Sequence, residues 1–334
     1  MYIGNCGGDE VSKKRNTALD FAKGATILLM MWAHIHLDSI WITSFHMPLF
    51  FILSGYFIKE EPFTTTLKKK AKGLLIPYLI MEMIYLVSTI IFEAATNPSL
   101  QPTDVSWMWP IVKDRLLGTL LANSFCISWF VWVLFGSTMV YVLINRLRAK
   151  MLWLYGILII ACSVLGYLFS EEWVRNPYRW DVILFVVPFI AIGHLAKLYI
   201  NKLTPVVKWV VFVLCLAVWI VDIVISDAFS IAMCVYGLYP VTLIGAVAGT
   251  YVVVTLCEYL DKIPVLNDVM RWFGRNTLAI MCFSVVTANV MEWHSEAYTG
   301  SEPLTFVIQI AMVTVLIFLW TGIKTLCKRE KNSS

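Results

Sequence analysis

Ten apolar stretches of roughly membrane-crossing length recur along this chain, and they decide its fold class before any single residue is weighed. They run at about 18 to 39, 43 to 58, 74 to 93, 126 to 144, 152 to 169, 182 to 199, 206 to 225, 231 to 256, 273 to 291 and 304 to 323. Wound as helices, about 20 such residues cover the hydrocarbon core of a bilayer, where only helices and closed barrels satisfy every backbone N–H and C=O. Only 14% of the 334 residues are charged, against roughly 25% in a soluble domain. The sequence therefore predicts an all-α, polytopic transmembrane bundle of about ten helices.

Charge tests that reading independently of hydropathy. With ten spans, twenty-one of the 26 Lys and Arg residues fall in segments on one side. The opposite side holds only Lys113, Arg115, Arg175 and Arg179, and Lys23 sits inside the first span. By the positive-inside rule both termini are expected in the cytoplasm. The net charge of +4 is spent on orientation and calls for no nucleic-acid partner. The first span lacks the cleavage site of a signal peptide and is read as a retained helix. The eight cysteines are scattered, without metal-ligand spacing, and read as buried thiols; no metal is expected. The segment "WMWPIVKDRLLGTLLAN" reads as an amphipathic interfacial helix. A tilt or kink is expected in the eighth span, which carries Gly237, Pro240, Gly245 and Gly249.

The first two spans hold polar residues that packing alone does not require. Thr17 and Asp20 resemble a capping box. Lys23 and His34 are eleven residues apart, about 20° from three full turns, so they share a helix face at levels about 16 Å apart. A snorkelling lysine paired with Asp20 is the alternative for Lys23, and a structural hydrogen bond the alternative for His34. His36 lies about 200° round the helix from His34 and reads as interfacial. The second helix is expected to start near Ser44 as N-cap, with Pro48 tolerated early and His46 near the depth of His34. Ser54 and Gly55 mark a close approach of backbones. Lys68, Lys69, Lys70 and Lys72, beside Lys23 and Arg15, form a cationic mouth suited to a polyphosphorylated ligand.

The pieces "RNTALDFAKGATILLMMWAH", "SFHMPLFFILSGYFIK", the basic run into "LLIPY", "SWFVWVLF", "FIAIGHLAK" and "FGRNTLAI" occur in that order. Together they resemble the membrane-bound acyltransferase-3 family, bacterial integral-membrane enzymes that O-acylate cell-surface sugars and related acceptors. The family's basic residue, ten residues and histidine correspond to Lys23 and His34. Its pair of arginines before the third helix is approximated by Lys69 and Lys72, which lack the bidentate fork. Ser284 stands where relatives often carry a histidine.

The resemblance implies a transmembrane acyltransferase domain over 18–324 between cytoplasmic tails 1–17 and 325–334, in the bacterial plasma membrane and of the single-domain kind. It implies acyl-coenzyme A, most simply acetyl-coenzyme A, as co-substrate, with no permanently bound cofactor. The acceptor is a glycan or lipid-linked sugar, and membrane lipids surround the chain. Lys69, Lys70, Lys72 and Arg15 would hold donor phosphates, His34 would serve as general base, and His46 and Ser44 would orient it. An acyl-histidine step stays open. Glu82, near mid-membrane, either pairs with a site histidine or is structural. Of the outer aromatic and basic residues Trp107, Trp109, Trp129, Trp173, Tyr178, Arg179 and Trp180, the readiest to meet an acceptor are Trp129 and Arg179, although an interfacial belt explains most of these equally well. A glycan-precursor transporter or flippase and a non-catalytic relative are the competing readings.

Overall fold

The structure, a computed structural model, describes residues 16–35, 39–97, 105–122, 129–172, 174, 176–298 and 301–333. These form helices α1 (Thr17–Ile35), α2 (Ile40–Tyr56), α3 (Phe63–Lys70), α4 (Ile76–Thr96), α5 (Met108–Leu120), α6 (Trp129–Asn145) and α7 (Leu152–Phe169). There follow α8 (Trp180–Phe185), α9 (Val187–Tyr199), α10 (Pro205–Ile225), α11 (Val241–Leu260), α12 (Pro264–Arg275), α13 (Thr277–Tyr298) and α14 (Glu302–Ser333). Among the described residues the sole β feature is one antiparallel bridge, Ser230 to Val235.

Among the described residues six helical stretches are long and apolar enough to cross a membrane, and α8 with α9, bent by 44°, makes a seventh when counted as one span. This is a multi-pass membrane protein. Each of the ten predicted stretches overlaps a helix, but α2, α6 and the described apolar part of α13 are shorter than a full crossing. Length and composition of the described residues therefore support six or seven crossings and do not confirm the count of about ten.

Water-driven burial does little between helices surrounded by lipid, so close packing and hydrogen bonds must hold them. A Cβ on Gly55 of α2 would strike the carbonyl of Ile190 in α9, and one on Gly193 would strike the carbonyl of Ile52. Gly24 of α1 and Gly274 of α12 meet the opposing backbones in the same way. Only hydrogen fits at these crossings. Lys197 then fastens α9 to the end of α2, its Nζ donating to the Ile58 carbonyl at 2.7 Å. Antiparallel α10 and α11 match Trp209 with Tyr259, Trp219 with Gly249 and Asp222 with Gly245.

Three local expectations need correction. The start of α1 is capped by Asn16, whose Oδ1 accepts from the Leu19 amide at 3.4 Å. Thr17, the expected cap, donates instead to Asp261 at 2.7 Å. Helix α2 begins at Ile40, which places Ser44 inside it. The basic run is helical, since α3 continues through a π-helical turn, Ala71–Leu75, into α4. The eighth stretch is not a kinked helix: residues 226–240 are irregular and α11 starts only after Pro240. Helix α12, amphipathic and packed on the first half of α1, had no counterpart among the expected elements.

Candidate active site

A cavity of about 870 Å³ opens between α1, α2, the start of α6, the start of α13 and the segment 227–235. Lys23, Ser54, Phe57 and Thr277 line one end of it. His34, Thr43, His46 and Trp129 line the other. Both members of the helical pair read from the sequence thus face one space, at levels about 16 Å apart along α1. His34 is exposed and lines this space.

Lys23 is both a cavity residue and a member of an ion pair. Its Nζ donates to Asp20 Oδ1 at 3.0 Å and lies 4.8 Å from the centre of the Phe57 ring. Asp20 is buried, 2% exposed, and its other oxygen lies 4.0 Å from Arg275 Nε. A carboxylate withdrawn from water needs such partners, because losing them leaves a costly buried charge.

His46 projects into the cavity from α2, and its Nδ1 lies 2.9 Å from the Ile42 carbonyl. A carbonyl oxygen can only accept, so Nδ1 donates and the neutral ring keeps its lone pair on Nε2. A proton acceptor of set orientation results.

Several other expected site residues belong elsewhere. Ser44 does not orient His34: its hydroxyl accepts from Trp219 Nε1 at 2.9 Å and donates to the Trp41 carbonyl, binding α2 to α10. Glu82 is buried on α4, outside the cavity wall, and accepts from Thr119 of α5 at 3.2 Å, which makes it part of the α4–α5 contact. Lys69 pairs with Glu61, Lys72 is exposed, and neither these nor Lys70 lines the cavity, although Leu74 one turn on does. Arg15, His36, Trp173 and Arg175 lie outside the described residues. Trp109, Tyr178 and Trp180 are exposed away from the cavity.

Trp129 does line it, but Arg179 stands behind, 1% exposed, with its guanidinium 5.2 Å from the Trp129 ring centre. Its Nη2 donates to the carbonyls of Ala232 at 2.7 Å and Ile231 at 3.5 Å. So placed, Arg179 cannot touch a ligand directly. It clamps the segment Asp227–Val235, which lines one whole side of the cavity and which hydropathy had partly assigned to a spanning helix. The polar start of that segment, "SDAFS", and the break at Gly237 and Pro240 were the signals available.

The family described as an acyltransferase domain matches residues 16–323. The chain belongs to the acyltransferase-3 family. It is also 26% identical over 226 residues to the nodulation protein NolL of Mesorhizobium japonicum, a match covering 61% of this chain and 54% of NolL. The chain thus spans about half the length of the curated relative it matches. No solved structure matches it.

One departure from the pattern of the acyltransferase-3 family can be placed beside this geometry. Ser284 lies one turn beyond Met281, which lines the cavity; its hydroxyl donates to the Met281 carbonyl at 2.9 Å and is buried. It satisfies its own helix and offers nothing to the cavity.

Proposed function

We propose that the protein is an integral-membrane O-acyltransferase, moving an acyl group from acyl-coenzyme A to a hydroxyl of a cell-surface glycan or its lipid-linked precursor. The observation that carries this reading is the single cavity shared by Lys23 and His34. Its volume, about 870 Å³, lies in the range of small-molecule sites. An extended pantetheine arm of roughly 15 to 20 Å matches the rise of about 16 Å from one residue to the other. The basic bias supports a reading in which the Lys23 end faces the cytoplasm of a bacterial plasma membrane, where acyl-coenzyme A is made.

In this mechanism the donor's phosphates stay at the mouth with Lys70 and Lys72. A phosphate also replaces Glu61 as the partner of Lys69. Lys23 lies where the arm enters. At the far end His34 takes the proton of the acceptor hydroxyl as its oxygen attacks the thioester carbon. The C–S bond breaks, an ester forms, and the departing thiolate recovers the proton from the imidazolium. His46, with Nε2 free to accept, is placed to hold the incoming hydroxyl in line.

Purified protein in lipid nanodiscs, given acetyl-coenzyme A and acceptor glycan, should release free thiol and ester-linked acetyl in equal amounts. H34A should lower both by about 10² to 10⁴ while donor binding persists. Equal turnover by H34A would overturn the role of His34. Glycan movement across sealed vesicles without thiol release would make the protein a transporter.

A further inference from the structure

The cavity's two ends carry different chemistry. Cys257 of α11 packs on Phe21 and Ala22, and Asp261 accepts from Thr17, so the C-terminal end of α11 lies at the start of α1. Its twenty residues rise about 30 Å, which carries Val241, and residues 226–240 before it, to the His34 end. There the segment is held in one shape. Ser230 and Val235 exchange backbone hydrogen bonds at 2.7 and 3.0 Å, and Ser226 Oγ donates to the buried Asp222 at 3.0 Å. Arg179 ties down the carbonyls of Ile231 and Ala232.

Two polar side chains of this rigid segment face the cavity, Asp227 and Ser230, and neither has a side-chain partner among the described residues. Trp129 presents an aromatic face beside them, backed by Arg179. Among the described lining residues Lys23 is the only Lys or Arg, and it sits at the opposite end.

We propose that Asp227, Ser230 and Trp129 form the acceptor subsite, and that it takes an uncharged, hydroxyl-rich molecule such as a neutral sugar while rejecting an anionic one. A carboxylate with both oxygens free accepts from adjacent hydroxyls, and these charge-assisted bonds are stronger than neutral ones. The indole covers the C–H face of a sugar ring. A uronate or phosphate brought to the same place meets Asp227 with no Lys or Arg of the described lining beside it, Arg179 being enclosed behind Trp129 and engaged by the Ile231 and Ala232 carbonyls, and that repulsion selects against acidic partners. The word acceptor rests on the acyltransfer reading above, whereas the binding preference stands on the lining alone.

The test separates binding from turnover. Full-length protein in nanodiscs is examined by saturation-transfer NMR with methyl glucoside and methyl galactoside, and with the matching methyl uronosides. The neutral glycosides should bind wild type and the uronosides should not. D227N should weaken the neutral glycosides about tenfold, and D227K should admit the uronosides. The subsite is overturned if no neutral glycoside binds, if uronosides bind wild type equally well, or if D227N leaves binding unchanged. Asp227-dependent binding without thioester consumption would sink the acyltransfer reading and keep the site. Thioester-driven acylation indifferent to Asp227 would do the reverse.

Discussion

His46 Nδ1 lies 2.9 Å from the carbonyl oxygen of Ile42, one turn earlier on α2. That bond turns a freely rotating imidazole into one with a defined tautomer, and it gives separate meanings to two substitutions. Asparagine can keep the donor to Ile42 but has no Nε2, so H46N should fold normally and lower acyl transfer by about 10². Imidazole added to the assay should restore part of the loss. Leucine removes the donor as well, and H46L should combine lost activity with lower thermal stability. Wild-type turnover in H46N would exclude His46 from the reaction.

Lys23 has a structural duty that must be separated from any role with the donor. Asp20 is buried and pairs with Lys23 at 3.0 Å, with Arg275 more distant at 4.0 Å. Removing one partner of a buried pair typically costs about 3 to 5 kcal/mol, and the lysine's partial exposure brings the expected loss in K23M nearer 1 to 2 kcal/mol. The double variant D20N/K23M should recover most of that stability, read as the melting temperature in detergent. Its activity should stay low, with a raised KM for acetyl-coenzyme A. Full recovery of turnover in the double variant would reduce Lys23 to a partner of Asp20.

Gly193 and Gly55 make a prediction about folding alone. Each has the opposing backbone where a side chain would go, so the two helices cannot accept even a methyl group without separating. G193A and G55A should each cost about 1 to 3 kcal/mol through overpacking, and G193V more. Gly73, which meets nothing nearby, is the control: G73A should fold as wild type. Similar yields of folded protein for G193V and G73A would show that α2 and α9 are not packed this closely.

What the sequence made legible was whatever depends on period or composition. The apolar runs marked the long apolar helices but not α12, and the helical repeat set Lys23 and His34 on one face of α1. What it hid depends on neighbours far along the chain. Ser44 is a good cap on paper, and only Trp219, 175 residues away, explains why it is buried inside α2. Residues 231–235 are mostly apolar and satisfy a hydropathy window, yet they line a cavity, because hydropathy cannot tell lipid from a protein-walled space. Glu82 looked expensive at mid-membrane until α5 supplied Thr119.

Arg179 offers a test of whether the segment behind the proposed subsite is held from below. It adopts a left-handed backbone, φ 51°, and reaches the carbonyls of Ile231 and Ala232 from a fully enclosed position. Two residues on, Asp181 is also buried, accepting from Ser170 at 3.1 Å, so removing the arginine alone would leave a carboxylate in poor company. The pair R179M/D181N avoids that charge imbalance and should still fold. Without the clamp, the Ser230 and Val235 amides, protected by bonding to each other, should exchange with deuterium about tenfold faster or more, since one lost charge-assisted bond is worth about 1.5 to 3 kcal/mol. The KM for acceptor should rise in step while that for acetyl-coenzyme A stays put. Unchanged exchange at Ser230 and Val235 would mean that the segment keeps its shape unaided, leaving Arg179 as the support of Trp129 alone.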